Sequence, residues 1–100
     1  MDQDNEIIVD LPIDGALDLH TFNPKELRTL IPDYIGACLE RGIYELRIIH
    51  GKGTGTLRRS VHALLDRDSR VDTHHTAPPE RGGWGATIVR LQSPGSPSES

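Results

Sequence analysis

Glu45-Leu46-Arg47-Ile48-Ile49-His50-Gly51-Lys52-Gly53-Thr54-Gly55-Thr56-Leu57 is the stretch on which the fold turns. Residues 45–50 read as a strand, rich in leucine and isoleucine. Three glycines at alternate positions, 51, 53 and 55, then predict a loop. Leu57, Val61, Leu64 and Leu65 follow at helical spacing and predict an amphipathic helix ending near Asp66 or Asp68.

Upstream, Ala16-Leu17-Asp18-Leu19-His20 alternates apolar and polar residues, as a short strand does. A helix start follows. Asn23 suits the N-cap, Pro24 the first helical position, and Glu26 stands three residues after the cap, with Phe22 and Leu27 placed to staple the entry. Leu27, Leu30, Ile31, Tyr34, Ile35, Cys38 and Leu39 form one apolar stripe, and Gly42 is a natural stop. Pro32 interrupts the backbone bonding, but the stripe stays in phase across it, which predicts one kinked helix rather than two. Downstream, 70–76 predicts a weakly apolar third strand, 78–83 a turn-rich loop, and Ala86–Leu91 a fourth strand.

The order β-α-β-α-β-β predicts an α/β domain: parallel pairing in the first units, right-handed crossovers and an antiparallel last pair. At 100 residues the chain has room for one core. Residues 1–14 carry five acids and no base, and 92–100 carry no apolar side chain but proline, so the expected divisions are an acidic segment (1–14), a domain (15–91) and a disordered tail (92–100). The net charge of −4 is misleading. The two ends hold six of the 15 acids and none of the 11 bases, so the middle is mildly basic at +2, with all five histidines. Cys38 stands alone, excluding an internal disulfide and a cysteine zinc site. The absence of a long apolar run predicts a cytoplasmic protein with no membrane partner.

Two places carry chemistry. Asp18 and His20, two apart on a strand, leave the same face, with Leu17 and Leu19 on the other. A carboxylate beside an imidazole can position it as general base and acid on a phosphodiester, or share a divalent ion such as Mg²⁺ or Mn²⁺ with it. A solvated polar face would read the same way. The loop His50-Gly51-Lys52-Gly53-Thr54-Gly55 is more specific. Free N–H groups at the start of the helix, with Lys52, Arg58 and Arg59 close by, predict a phosphate site. The spacing fits neither the dinucleotide fingerprint nor the Walker loop. His50 ends its strand as His20 ends the first, so in a parallel pair both would approach one crevice. His62 reads as a surface residue, and the adjacent His74 and His75 cannot both enter one site. Trp84, in Gly82-Gly83-Trp84-Gly85, either stacks on a base or covers the edge of a thin core.

Leu17-Asp18-Leu19-His20, His50 to Gly55 and Gly82-Gly83-Trp84-Gly85-Ala86-Thr87, in that order with helices between, resemble the motifs of the small MutS-related (Smr) domain over residues 16–91. The resemblance implies a two-layer sandwich similar to the C-terminal domain of translation initiation factor three, a mixed four-stranded sheet with two helices on one face. It also implies endonuclease activity on DNA or RNA. Asp18 and His20 would take part in cleavage, joined by His50, with the glycine loop binding phosphate. Ribosomes or MutS-like proteins are the partners it suggests. Thr21 stands where the first motif often has glycine. The alternatives are a non-catalytic nucleic-acid or ribosome-binding module using the same loop, and a protein-interaction domain using the acidic segment.

Overall fold

The computed structural model describes residues 13–53 and 55–93. The segments expected at 1–14 and 92–100 lie mostly outside these, as does Thr54. In chain order the elements are β1 (Ala16–Asp18), α1 (Leu27–Glu40), β2 (Glu45–Ile49), α2 (Thr56–Asp66), β3 (Val71–Thr76) and β4 (Ala86–Leu91). Three short 3₁₀ turns lie at Pro24–Glu26, Pro79–Arg81 and Gly83–Gly85.

The sheet order is β1-β2-β4-β3. β1 runs parallel to β2, while β4 is antiparallel to both β2 and β3. The expected mixed sheet and antiparallel last pair are therefore present, but β3 does not pair with β2, because β4 inserts between them. Burial explains the insertion. β4 is buried at every position but Arg90 and must be covered on both faces, which a central strand achieves. β3 is polar on both sides, has a register shift between Val71 and Thr73, and takes the edge.

Both helices lie on one face of the sheet. Leu27, Leu30, Ile31, Tyr34, Ile35 and Cys38 of α1 and Val61 and Leu65 of α2 pack on Leu17, Leu46, Ile48, Val89 and Leu91 of the strands. The helix entry is tighter than the spacing predicts: its first turn is 3₁₀, with Glu26 Oε1 accepting the Asn23 N–H at 3.0 Å. α1 then runs through Pro32 as a single helix. Arg70, chelated by Asp68, donates to the Pro32 carbonyl at 3.2 Å and so ties the start of β3 to α1.

The start of β1 is pinned from the helix layer. Tyr34 Oη accepts the Gly15 N–H at 3.0 Å, and burial pushes this phenol's pKa up to about 12, so it stays protonated. The opposite face carries a small cluster of Ala77, Ala86, Ile88 and Ile49, and Glu45 bridges Arg81 and Arg90 there. No helix among the described residues is long and apolar enough to cross a membrane.

Ile35 is fully buried where α1 meets the sheet. Ile35→Ala is expected to lower unfolding free energy by about 2–5 kcal/mol. In the same urea titration the exposed Thr29→Ala is expected to stay within about 0.5 kcal/mol of the parent.

Candidate functional site

β1 ends at Asp18, two residues earlier than the alternating pattern predicts, and the chain turns there. Asp18 Oδ1 makes that turn. It accepts the His20 backbone N–H at 3.0 Å and stands 2.8 Å from His20 Nδ1. These bonds from His20 hold the Asp18 carboxyl below its ordinary pKa, so it is ionised at neutral pH. A carboxylate can only accept, so Nδ1 carries the proton and Nε2 points its lone pair outward in the neutral ring. Both side chains are exposed, His20 by 76% and Asp18 by 51%. An ion pair this open adds little stability; what it fixes is the orientation of the ring.

His50 has a different station. Asp18 pairs with Ile49, on the open face of the sheet, and Leu19 N–H bonds to the Ile49 carbonyl at 2.9 Å. His50, one residue further, alternates to the helix-covered side. The structure therefore brings His20 and His50 to the same end of neighbouring strands but sends them to opposite faces. His50 is only 6% exposed. Its Nδ1 donates to the Gly51 carbonyl at 3.2 Å, and its Nε2 lies 2.8 Å from Thr87 Oγ1. His62 Nε2 reaches the same hydroxyl at 2.9 Å.

One proton count settles this network. With His50 protonated on Nδ1, its Nε2 accepts the Thr87 O–H; Thr87 then has no second proton, so His62 Nε2–H must donate to it. Burial lowers the pKa of both imidazoles, in His62 with help from His74, and so keeps both neutral. The His74 ring lies 4.7 Å from that of His62, tilted by 56°, and donates from Nε2 to Asp66 at 2.7 Å. His62 thus stays partly exposed, but its Nε2 turns toward the sheet. Adjacent histidines do split across the strand, as alternation requires; His74 faces the helix side beside Val89 and His75 the open side beside Ile88.

Between β2 and α2 lies a pocket of about 200 Å³ lined by His50, Gly51, Gly53, Gly55, Thr56, Leu57 and Arg58. Gly55 begins α2 at φ +90°, a conformation that side chains resist. The second glycine turn locks onto this loop: the Gly85 carbonyl accepts the N–H groups of both His50 (3.0 Å) and Gly51 (2.9 Å). Gly82 is required by its φ of +114° and by space, since a Cβ there would lie 2.9 Å from that of Ala86. Arg58 donates to Thr76 Oγ1 at 3.1 Å, places its guanidinium 4.0 Å from the centre of the Trp84 ring, and has a buried Nε with no hydrogen-bond partner. Lys52 is exposed beside Gly85, and Arg59 folds back toward Gly55.

Residues 17–92 match the family model of the Smr domain. The chain belongs to the Smr domain family. Endonuclease MutS2 of Lactobacillus gasseri is 42% identical over 78 residues, covering 78% of this chain. The crystal structure of the Smr domain of Thermus thermophilus MutS2 superposes with a TM-score of 0.74 at 35% identity, covering 79% of this chain and 99% of that one. YdaL, a stand-alone small MutS-related protein from Escherichia coli, gives a TM-score of 0.73 at 32% identity, covering 82% and 67%. The matched part of the MutS2 relative is 10% of its length, so this Smr domain corresponds to a small part of such proteins.

Within this Smr domain the structure groups the expected residues into an exposed pair, Asp18–His20, and a cradle of His50, Gly51, Gly53, Gly55 and Arg58. Thr87, His62 and His74 back that cradle, and their pattern gave no sign of it, because they come from three elements that meet only after β4 inserts. No group of three or more His, Cys, Asp or Glu side chains among the described residues is placed to hold a metal ion. Asp18 and His20 alone fall short of a metal cage.

Thr87→Val keeps the shape but leaves both buried ring nitrogens unpaired, and is expected to cost about 1–3 kcal/mol in a denaturant titration. The pH dependence has a definite sign. The unfolded chain protonates its histidines near the ordinary value of 6.5, while folded His50 and His62 resist protonation. Stability should be fully present above that value and fall as the pH drops below it, by at most about 1.4 kcal/mol per pH unit for each ring, until the folded rings protonate as well. Thermal melts in a pH series read this directly.

Proposed function

We propose that this Smr domain is an endonuclease that nicks DNA or cleaves RNA, with Asp18–His20 as its acid–base centre and the 50–58 loop as its phosphate cradle. The observation that carries the reading is the exposed imidazole of His20, held through Nδ1 by an ionised carboxylate 2.8 Å away. In that arrangement Nε2 takes the proton of an attacking water or ribose hydroxyl as its oxygen closes on phosphorus, while the P–O bond to the departing sugar oxygen breaks and that oxygen takes a proton from solvent. The Asp18 carboxylate stabilises the imidazolium that results. Negative charge building on the phosphoryl oxygens would be met by backbone N–H groups at the start of α2, by Lys52 and Arg59, and by Arg58, whose unpartnered Nε supports an anion in the cradle.

His50 acts in this scheme as a positioning residue. Buried, neutral and engaged at both nitrogens, it fixes the direction of the Gly51 peptide and the seat of α2. The name endonuclease MutS2 carried by relatives supports the activity for proteins that contain this domain as one part. A ribosome or a MutS-like protein would then deliver the substrate, since a +2 domain core gives weak attraction of its own. A non-catalytic nucleic-acid or ribosome-binding module would use the same cradle and differ only in showing no cleavage.

End-labelled single- and double-stranded RNA and DNA, incubated with Mg²⁺, Mn²⁺ or EDTA, test the reading. Wild type should cleave, and His20→Ala should reduce kcat about 10²–10⁴-fold. Asp18→Asn should retain the fold and lose rate through the ring's orientation. Equal cleavage by wild type and His20→Ala would reject the mechanism, and binding without any cleavage would favour the non-catalytic module. Lys52→Ala should weaken binding, flatten its salt dependence and slow the chemical step less than His20→Ala does.

A further inference from the structure

Trp84 is the single tryptophan of the chain and the one large apolar side chain exposed among the described residues, at 54%. A lone exposed indole on a small domain usually has a packing excuse, and here the packing is of an unusual kind. The ring does not cover the core. It stands on a 3₁₀ turn, Gly83–Gly85, whose last carbonyl is fixed by two N–H groups of the glycine loop. The Arg58 guanidinium lies 4.0 Å from the ring centre. That guanidinium is itself held by Thr76 Oγ1, and Arg58 lines the phosphate cradle. The indole is thus buttressed by the Arg58 cation, and about half of the residue remains open to solvent.

We infer that Trp84 is a stacking subsite for one unpaired nucleobase, so that the domain engages single-stranded nucleic acid beside the cradle. This rests on the nucleic-acid reading above and adds its substrate class. Two observations and one property of duplexes converge on it. A rigid turn holds the ring without burying it, and order without burial suits a surface that meets a ligand face to face. The stacked guanidinium supplies positive charge within reach of the phosphate attached to such a base. A base within a duplex has both faces covered by its neighbours and cannot offer one to the indole, whereas an unpaired base can. The sugar plays no part in the stack, so DNA and RNA single strands share the required chemistry.

Because Trp84 is the only tryptophan, its fluorescence reports this subsite alone. The test titrates wild-type protein with a short single-stranded DNA, the same sequence as RNA, and the matching blunt duplex, reading tryptophan emission and, separately, the anisotropy of an end-labelled strand. Single strands of at least one sugar type should quench the emission, and the duplex should not. Trp84→Ala, at an exposed position, should bind single strands roughly 5- to 150-fold more weakly, the equivalent of one lost base stack. Trp84→Phe should restore most of the affinity, and duplex binding should be the same in all three proteins. If anisotropy reports binding while emission stays constant and Trp84→Ala binds like wild type, the subsite is overturned and the nucleic-acid reading survives. Quenching by duplex equal to that by single strands overturns the preference for an unpaired base. If no nucleic acid changes the anisotropy, the proposed function fails and this subsite with it.

Discussion

A single backbone carbonyl, that of Gly85, accepts the N–H groups of both His50 and Gly51. It joins the end of β2 to the turn that precedes β4, and so fixes the two glycine segments against each other. The rest of the site hangs from that joint. With β4 seated between β2 and β3, Thr87 falls directly under α2, where one hydroxyl meets His50 from the sheet and His62 from the helix. The same seating brings Trp84 up against Arg58.

The domain uses histidine in two opposite ways, and the difference is solvent. His20, exposed and bonded to an ionised carboxylate, keeps one nitrogen free and accessible. His50, buried, and His62, half-buried beside it, are held neutral because a charge there would be poorly solvated and next to Arg58. The exposed ring is suited to move protons and the buried ones to hold geometry. His20 and His50 follow the C-terminal ends of the parallel pair β1–β2, where open α/β sheets place their ligands.

The helical stripe of α1, the glycine loop and the Asp18–His20 pair were legible because each is a local pattern of a few residues with one dominant physical cause. The Pro32 interruption was also read correctly as one helix, since seven apolar positions in phase outweigh one missing backbone bond. What was not legible depends on contacts distant in sequence. The apolar character of Ala86–Leu91 marks a strand, but only comparison with the polar Val71–Thr76 reveals which of the two must be central. The neighbours of Thr87 come from β2 and α2, 37 and 25 residues away, so nothing around His62 announces that it faces a hydroxyl. Likewise nothing in the residues around Trp84 announces that its ring stays exposed beside Arg58.

In the proposed function the exposed Asp18–His20 pair and the cradle after β2 serve one phosphodiester, although their side chains leave opposite faces of the sheet. The most direct measurement is an NMR titration with a short phosphorothioate-protected oligonucleotide, following the His20 ring and the amides of Gly51, Gly53 and Gly55 together. Both sets of resonances should shift along one saturation curve with a common Kd. Shifts confined to the glycine loop, with the His20 ring unmoved at saturation, would contradict that reading.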